Sequence, residues 1–478
     1  MFGSNQIDAR FTSVATLVFI SLSLVVSSFA QRPPTAPINF SYLRVDFLQP
    51  GARPAGLGGA FIGAAQDETA AAINPAGLTY LRSTGASLHQ RPARFNYEEP
   101  QGSPENPDGK AKFRSDNFDQ NMVSVFLPLE TIKPLRKTPL AKVHLAVFRQ
   151  VVFDSRFNFE TEQFLTTHEP LSPRQLLGGL GNFPGRKVTL DLEMVSDAFS
   201  IAFPLTKRVS IGLTGKSSVL NFRLNETTFL DPALRDGNDS PQGNIAQTTY
   251  SLTSVDERHT EMSFSIGIMA KLILDKLFFG AVYNSNPTFR LKSTIFLPAY
   301  SAGEQRFDAT SPENTDFNFS VPDTYGFGLY YIASSRLRFM ADIMRIEYSD
   351  LLSDNYLNWP ADDLFSSPQQ TFEDTGTFPD LTVEDATEFH FGVEIVQNVP
   401  KLGVIPFRFG VFNNPGHRIH AVDSSPDMQR LFPKAKDRLG FSFGVGIVLS
   451  SYLKFDTSLV AASDGFEIYG STLLTLPL

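Results

Sequence analysis

The sequence predicts an all-β protein: a 14-stranded antiparallel transmembrane β-barrel with an N-terminal segment folded into its bore. Three observations carry this. Large apolar residues alternate with small or polar ones along fourteen stretches. The connections between those stretches alternate between short and long. A Gly- and Ala-rich segment stands directly before the first stretch.

Composition narrows the field first. Charged residues make up 19% of 478 and hydrophobic residues 42%. The charged share is below the soluble average of about 25%, and the apolar share is too low for a helical membrane bundle. The net charge of −9 comes without a basic block, so nucleic acid is not an expected partner. The absence of cysteine excludes disulfide frameworks, thiolate metal sites and Cys nucleophiles. Arg10 precedes an apolar stretch, Phe11 to Val26, and Ser28-Phe29-Ala30 places small residues at the −3 and −1 positions before Gln31. Residues 1–30 therefore read as a secretory signal peptide cleaved near Ala30. No other run of 18 or more apolar residues follows, which excludes helical spans.

The alternating stretches lie near 83–92, 119–129, 141–153, 188–205, 208–224, 258–273, 277–294, 322–334, 336–350, 386–398, 404–413, 437–450, 453–463 and 465–476. Period-two alternation of aromatic and β-branched residues marks strands with one apolar face. In Phe441, Phe443, Val445 and Ile447 the opposite face is Gly440, Ser442, Gly444 and Gly446. Large apolar residues against small or polar ones suit lipid outside and a lumen inside; the outer faces of a soluble β-sandwich would carry more charge. The junctions at 206–207, 274–276, 335 and 451–452 are tight, whereas 154–187, 225–257, 295–321 and 351–385 are long. Short periplasmic turns and long external loops have this asymmetry.

Two features point to binding. The expected outer loop 154–187 holds Leu176, Leu177 and Leu180, with Phe183 nearby, behind a Ser172-Pro173 helix start. Leucines on an external loop suit an apolar capture groove or packing of the loop on the rim. The second feature is a change of phase. Apolar positions are odd over Phe199–Leu205 and Val209–Leu213, but even at Val188, Leu190, Leu192 and Met194 and at Leu220, Phe222 and Leu224. A membrane strand needs only about 9–11 residues. Above that height the outer face meets water and apolar side chains gain by turning inward, which predicts an apolar upper lumen. A register-shifting bulge or loop-covered strand tops are the other readings.

Residues 53–82 read RPAGLGGAFIGAAQDETAAAINPAGLTYLR. Small residues let backbones approach closely, and the Asn74-Pro75 step ends any helical turn begun at Thr69. This Gly-rich stretch, with Asn74, Pro75 and Ala76 as an Asn-Pro-Ala motif before the first strand, resembles the N-terminal hatch of the FadL-type (OmpP1/FadL/TodX) outer-membrane transporters, PorV-like members included. The resemblance implies residues 31–82 as a lumenal hatch and 83–478 as the barrel. It implies passive transport of long-chain fatty acids or similar hydrophobic compounds, capture outside, a lumenal pocket and a sideways exit. It also implies a monomer in contact with outer-membrane lipid. The alternative is a PorV-like shuttle that binds secreted proteins.

Other signals are weaker. Gly440-Phe-Ser442-Phe-Gly444 matches a nucleophile elbow, but alternation runs straight through it where the elbow needs a sharp turn. Gly215-Lys216-Ser217 lacks the first glycine of a phosphate loop. His417 and His420 are three apart in a loop expected to be solvated, and the acidic run within 351–385 reads as a solvated face. No catalytic residue, metal or cofactor is expected.

Overall fold

The computed structural model describes residues 43–162, 164–165, 182–183, 185–230, 248–273, 275–296, 299–301, 306–308, 313–353, 381–422, 429, 433–450 and 452–476. The chain forms a closed antiparallel barrel of fourteen strands. In order they are β1 (Thr84–Pro100), β2 (Lys110–Pro128), β3 (His144–Thr161), β4 (Gly185–Pro204), β5 (Val209–Leu230) and β6 (Thr248–Ile273). β7 follows in two pieces, Leu277–Ser285 and Thr288–Phe296, and β8 likewise, Glu313–Ser320 and Thr324–Ile332. Then come β9 (Leu337–Ile346), β10 (Ala386–Val399), β11 (Gly403–Asn414), β12 (Arg438–Val448), β13 (Leu453–Ala462) and β14 (Gly465–Leu476). Each strand pairs with its sequence neighbours, and β1 closes the ring on β14 from Thr84↔Leu476 to Phe95↔Gly465.

The alternation sorts the side chains as the sequence suggests. Phe389, Phe391, Phe409, Val411, Phe441 and Phe443 are exposed on the outer face, while His390, Arg408 and Ser442 are buried inside. Ser442 is thus a lumenal strand residue. An apolar outer belt has no aqueous partner and is stabilised by lipid. In the described residues no helix is long and apolar enough to cross a membrane.

The strands reach further than the alternation foretold. β4, β5 and β6 run for 20, 22 and 26 residues, about twice what a bilayer needs. Residues 93–118, between the first two alternating stretches, are largely strand, with β1 and β2 paired up to Pro100↔Lys110. Here the outer face is charged rather than apolar, so the membrane signature stops while the ladder continues. Arg94 pairs with Asp116 across it at 2.6 Å, and Phe95 turns inward and is buried.

Three places interrupt the wall. β2 and β3 pair only from Met122↔Gln150 to Pro128↔His144; above Gln150 a bulge at Val152 turns β3 away from β2, as its pairing with β4 records. β7 breaks at Asn286-Pro287, where proline has no N–H to give the ladder. It pairs with β6 below the break and again only from Thr294↔Ser254. β8 breaks opposite, at Val321-Pro322-Asp323, and the Val321 N–H donates to the Pro287 carbonyl at 3.0 Å.

Candidate functional site

Residues 43–82 thread through the bore. Two short helices, α1 (Ala52–Gly56) and α2 (Ala70–Ile73), lead into a 3₁₀ turn, Pro75–Tyr80. This segment lies directly on wall backbone. A Cβ built at Gly212 of β5 would fall 2.3 Å from the Ala76 nitrogen; at Gly267 of β6, 2.1 Å from Asn74 Oδ1; at Gly410 of β11, 2.1 Å from the Gly58 nitrogen. Gly280 and Gly328 meet Ile62 and Gly63 in the same way. These wall glycines are the contact surface for this segment. Gly58 itself has a φ of +65, which an L side chain rarely adopts.

Hydrogen bonds then fix the segment. Asn74 accepts from the Ala76 N–H at 3.3 Å and donates to the carbonyls of Ile62 and, on β6, Ile268, at 3.1 and 3.2 Å. Asn74, Pro75 and Ala76 are fully or almost fully buried. The Asn-Pro-Ala motif therefore ties the segment both to itself and to the wall. The Asp342 carboxylate on β9 accepts the N–H groups of Phe61 and Ile62, the latter at 2.7 Å. His390 on β10 meets the Gly58 carbonyl at 2.6 Å.

A tier of buried ion pairs joins the segment to four strands. Arg53 holds Glu394 (β10) at 3.1 Å and Asp67 at 3.2 Å. Glu394 also holds Arg338 (β9) at 2.7 Å and Arg408 (β11) at 2.8 Å. Arg408 reaches Asp456 (β13) at 2.7 Å, and Lys454 spans Asp456 at 2.8 Å and Glu68 at 3.7 Å. Burial pushes the Glu68 carboxyl up to about 7; the negative neighbours Asp67 and Asp456 add to this, and Lys454 opposes it. None of these partnerships was legible in sequence, because each joins residues from separate strands.

Above this tier the lumen changes character. Leu190, Leu192, Met194, Leu220 and Phe222 are all buried, in one apolar cluster with Phe153, Phe289, Phe317 and Phe319. Phe222 packs edge-on to Phe319 at 5.7 Å. The register of β4 against β5 is unbroken from Gly185↔Phe229 to Pro204↔Ser210, so no bulge causes the change of phase. The same even positions point inward throughout. Only their chemistry switches, from Ser200, Ala202, Gly212 and Thr214 below to leucine, methionine and phenylalanine above. Leu43 and Val45 from the N-terminal segment, and Tyr348, Leu351, Val383 and Ile419 from connections, complete the cluster.

The expected loop cluster is a different case. Leu176, Leu177 and Leu180 lie outside the described residues, and Phe183 falls in a two-residue strand whose backbone pairs with Phe164. The histidines depart from expectation. His417 and His420 are buried rather than solvated. His417 stacks on Tyr348 at 4.1 Å and lies 3.4 Å from the Asp46 carboxylate. Burial pushes the His417 imidazole below its usual value. Asp46 comes from the N-terminal segment, a partner that local spacing could not reveal. Among the described residues no group of three His, Asp or Glu is arranged to hold a metal.

Between the apolar cluster and the ion-pair tier lies a cavity of about 210 Å³. Asp46 to Pro50 of the N-terminal segment border it, with Gln150 of β3, Ser196 of β4, Asn284 of β7, Met344 of β9, and Arg91 and Arg438. At its side, where β2 and β3 part, the Leu48 N–H donates to the bulged Val152 carbonyl at 2.9 Å, and Asn121 donates to the Gln49 carbonyl. Arg91, wholly buried, ties the same place together through Asp119 at 2.7 Å and Glu467 at 3.0 Å.

No family model and no curated protein matches this chain. Solved structures share its fold. A FadL homologue from Pseudomonas aeruginosa superposes with a TM-score of 0.56 at 15% identity, over 90% of this chain and 98% of that one. The monoaromatic hydrocarbon channel CymD does so at 0.51 and 15%, over 89% and 96%. The toluene transporter TodX of Pseudomonas putida does so at 0.51 and 13%, over 90% and 98%. At these identities the likeness is one of fold.

Proposed function

We propose that the chain is a FadL-type channel of the outer membrane that lets hydrophobic compounds, long-chain fatty acids or similar, cross passively. One observation carries the reading: an apolar upper lumen, with its greasy residues on the inner face, stands over a bore filled by the N-terminal segment. A soluble barrel has no need of greasy faces on both sides of its wall. Capture draws on burial of alkyl surface, worth about 0.8 kcal/mol per CH₂. The N-terminal segment is the hatch, and its ion pairs and glycine contacts keep the bore shut to ions. The parted strands β2 and β3 are the sideways exit, held closed by the Leu48–Val152 and Asn121–Gln49 bonds. Two proteins that share the fold, the monoaromatic hydrocarbon channel CymD and the toluene transporter TodX, carry hydrophobic compounds, which supports the reading.

The test is uptake of a labelled fatty acid into proteoliposomes, comparing wild type with Phe222→Asp. A carboxylate placed among Leu190, Leu220 and Phe319 should lower the rate about tenfold or more, since an unpaired charge in an apolar site costs several kcal/mol. An unchanged rate in a correctly folded variant would sink the proposal. A protein purified with an empty lumen and a stably bound secreted partner would favour the shuttle instead.

A further inference from the structure

We propose that the tight-turn end of the barrel is a docking ring for anionic phospholipid head groups, and that its densest part is the platform between β2 and β3. The ring is independent of what the lumen carries and requires only that the barrel sit in a bilayer.

The two ends of the wall treat exposed cations differently. Where the strands overrun the bilayer, carboxylates stand beside them. Lys110 and Lys112 lie 3.5 and 3.7 Å from Glu98, Lys187 3.5 Å from Glu160, and Arg223 3.3 Å from Asp256. The connection 351–385 adds acidic residues and no lysine or arginine. At the opposite end the turns expose Lys207 and Arg208 between β4 and β5, Lys276 between β6 and β7, Arg336 between β8 and β9, and Lys401 between β10 and β11. Asp275 is the sole acidic residue in these tight turns. Among the residues described on the surface of this end, the one ion pair joins Arg82 to Glu130, at 3.5 Å. The turn cations have no carboxylate at ion-pair distance, although the chain as a whole carries a net charge of −9.

The platform concentrates the same chemistry. Residues 129–143 fold as three 3₁₀ turns, Leu129–Thr131, Lys133–Leu135 and Pro139–Lys142, where the other junctions at this end are tight. Its base is closed by the Leu129 N–H, which donates to the Val143 carbonyl at 2.9 Å, and it is braced by Arg136 Nε, which donates to the Glu130 carbonyl at 3.0 Å. Lys133, Arg136, Lys137 and Lys142 are exposed on it, with Leu140 exposed among them. Glu130, its only acidic residue, is taken by Arg82.

Depth selects lipid as the occupant. Leu205 stands before Lys207, Ile273 before Lys276, and Leu402 after Lys401, all three exposed. An apolar residue beside a cation, repeated around the circumference, spans the step from acyl chains to head groups. A soluble partner would touch one sector of the ring, whereas a leaflet touches all of it. Basic residues near a membrane surface are drawn to anionic lipid, each adding to the attraction. A cation with no carboxylate beside it has the more to gain from a lipid phosphate.

The experiment reconstitutes the full chain in phosphatidylcholine vesicles and adds spin-labelled phosphatidylglycerol or spin-labelled phosphatidylcholine of the same chain length. Electron spin resonance then weighs lipid held at the protein against lipid free in the bilayer. Wild type should favour phosphatidylglycerol by about threefold at about 20 mM salt, and by less than half of that at about 0.5 M, where charges are screened over a shorter distance. Replacing Lys133, Arg136, Lys137 and Lys142 together by Gln should remove about half of the preference or more. Replacing Lys110, Lys112, Lys187 and Arg223 by Gln takes the same number of cations from the other end and should leave the preference as it was. Heat-modifiable gel mobility confirms that each variant is folded. Equal affinity of wild type for the two lipids at low salt would overturn the proposal and leave the ring to an acidic soluble partner. A preference that the platform variant keeps in full, or that the control variant loses equally, would overturn it as well.

Discussion

The lower and upper halves of β4 and β5 are the same two strands, in the same register, with the same positions facing in, yet they are built from different residues. Below, Ser200, Ala202, Gly212 and Thr214 face the N-terminal segment; above, Leu190, Met194, Leu220 and Phe222 face one another. The difference teaches that the inner face is composed for what it must touch. Against folded backbone it needs small residues, because a side chain would collide with main-chain atoms that cannot rotate away. Against apolar side chains it needs bulk, because close packing and removal of apolar surface from water stabilise that level.

The strongest way to break the comparison is to make the lower level bulky. Gly212→Val places a branched side chain where the Ala76 nitrogen and Pro75 carbonyl carbon lie 2.3 Å from the new Cβ. The N-terminal segment should be displaced, raising ion conductance in planar bilayers above the wild-type level. Gly215→Val, three residues along, is the control: its Cβ meets nothing within 4 Å, and conductance should stay at the wild-type level. Equal conductance in the two variants would refute the contact role of the wall glycines.

The second test hollows the upper level. Phe222 is fully buried whereas Phe199, on the outer face, is 51% exposed. Phe222→Ala should cost about 3–5 kcal/mol of unfolding free energy, and Phe199→Ala less than half that, as expected for full against partial burial. Urea unfolding in detergent measures both.

The smallest effect sharpens the lower level electrostatically. Glu68 is almost wholly buried and its carboxyl is pushed up from 4.5 to about 7. The docked segment therefore holds a proton that the released segment gives up. Docking stability is fully present below the released value and declines as pH rises through the folded one. Amide exchange of residues 52–80 should quicken between about pH 5 and pH 8 by more than the intrinsic base-catalysed rate, and Glu68→Gln should remove that excess. An excess that survives in Glu68→Gln would assign the slope elsewhere.

Much of this was legible in the chain. The alternation located all fourteen strands, since each membrane-level stretch carries its own record of which side meets lipid. The phase change at Met194 and Leu220 foretold an apolar upper lumen, because the direction of a side chain in a strand is fixed by its parity. The upper ends of β1 and β2 were missed, since Arg94 and Asp116 replace lipid-facing residues there and the apolar signature ends before the ladder does. The burial of His417 was missed because its partners, Tyr348 and Asp46, come from distant parts of the chain.

What the sequence determined by itself is the class of the protein and the sidedness of its wall, because both follow from local periodicity and need no partner. What only the tertiary structure decided is which side chains meet across the bore. The Arg53–Glu394–Arg408–Asp456 tier and the glycine seats of Asn74 and Pro75 depend on closure of the barrel. Closure brings together residues hundreds of positions apart, and no pattern along the chain encodes that distance.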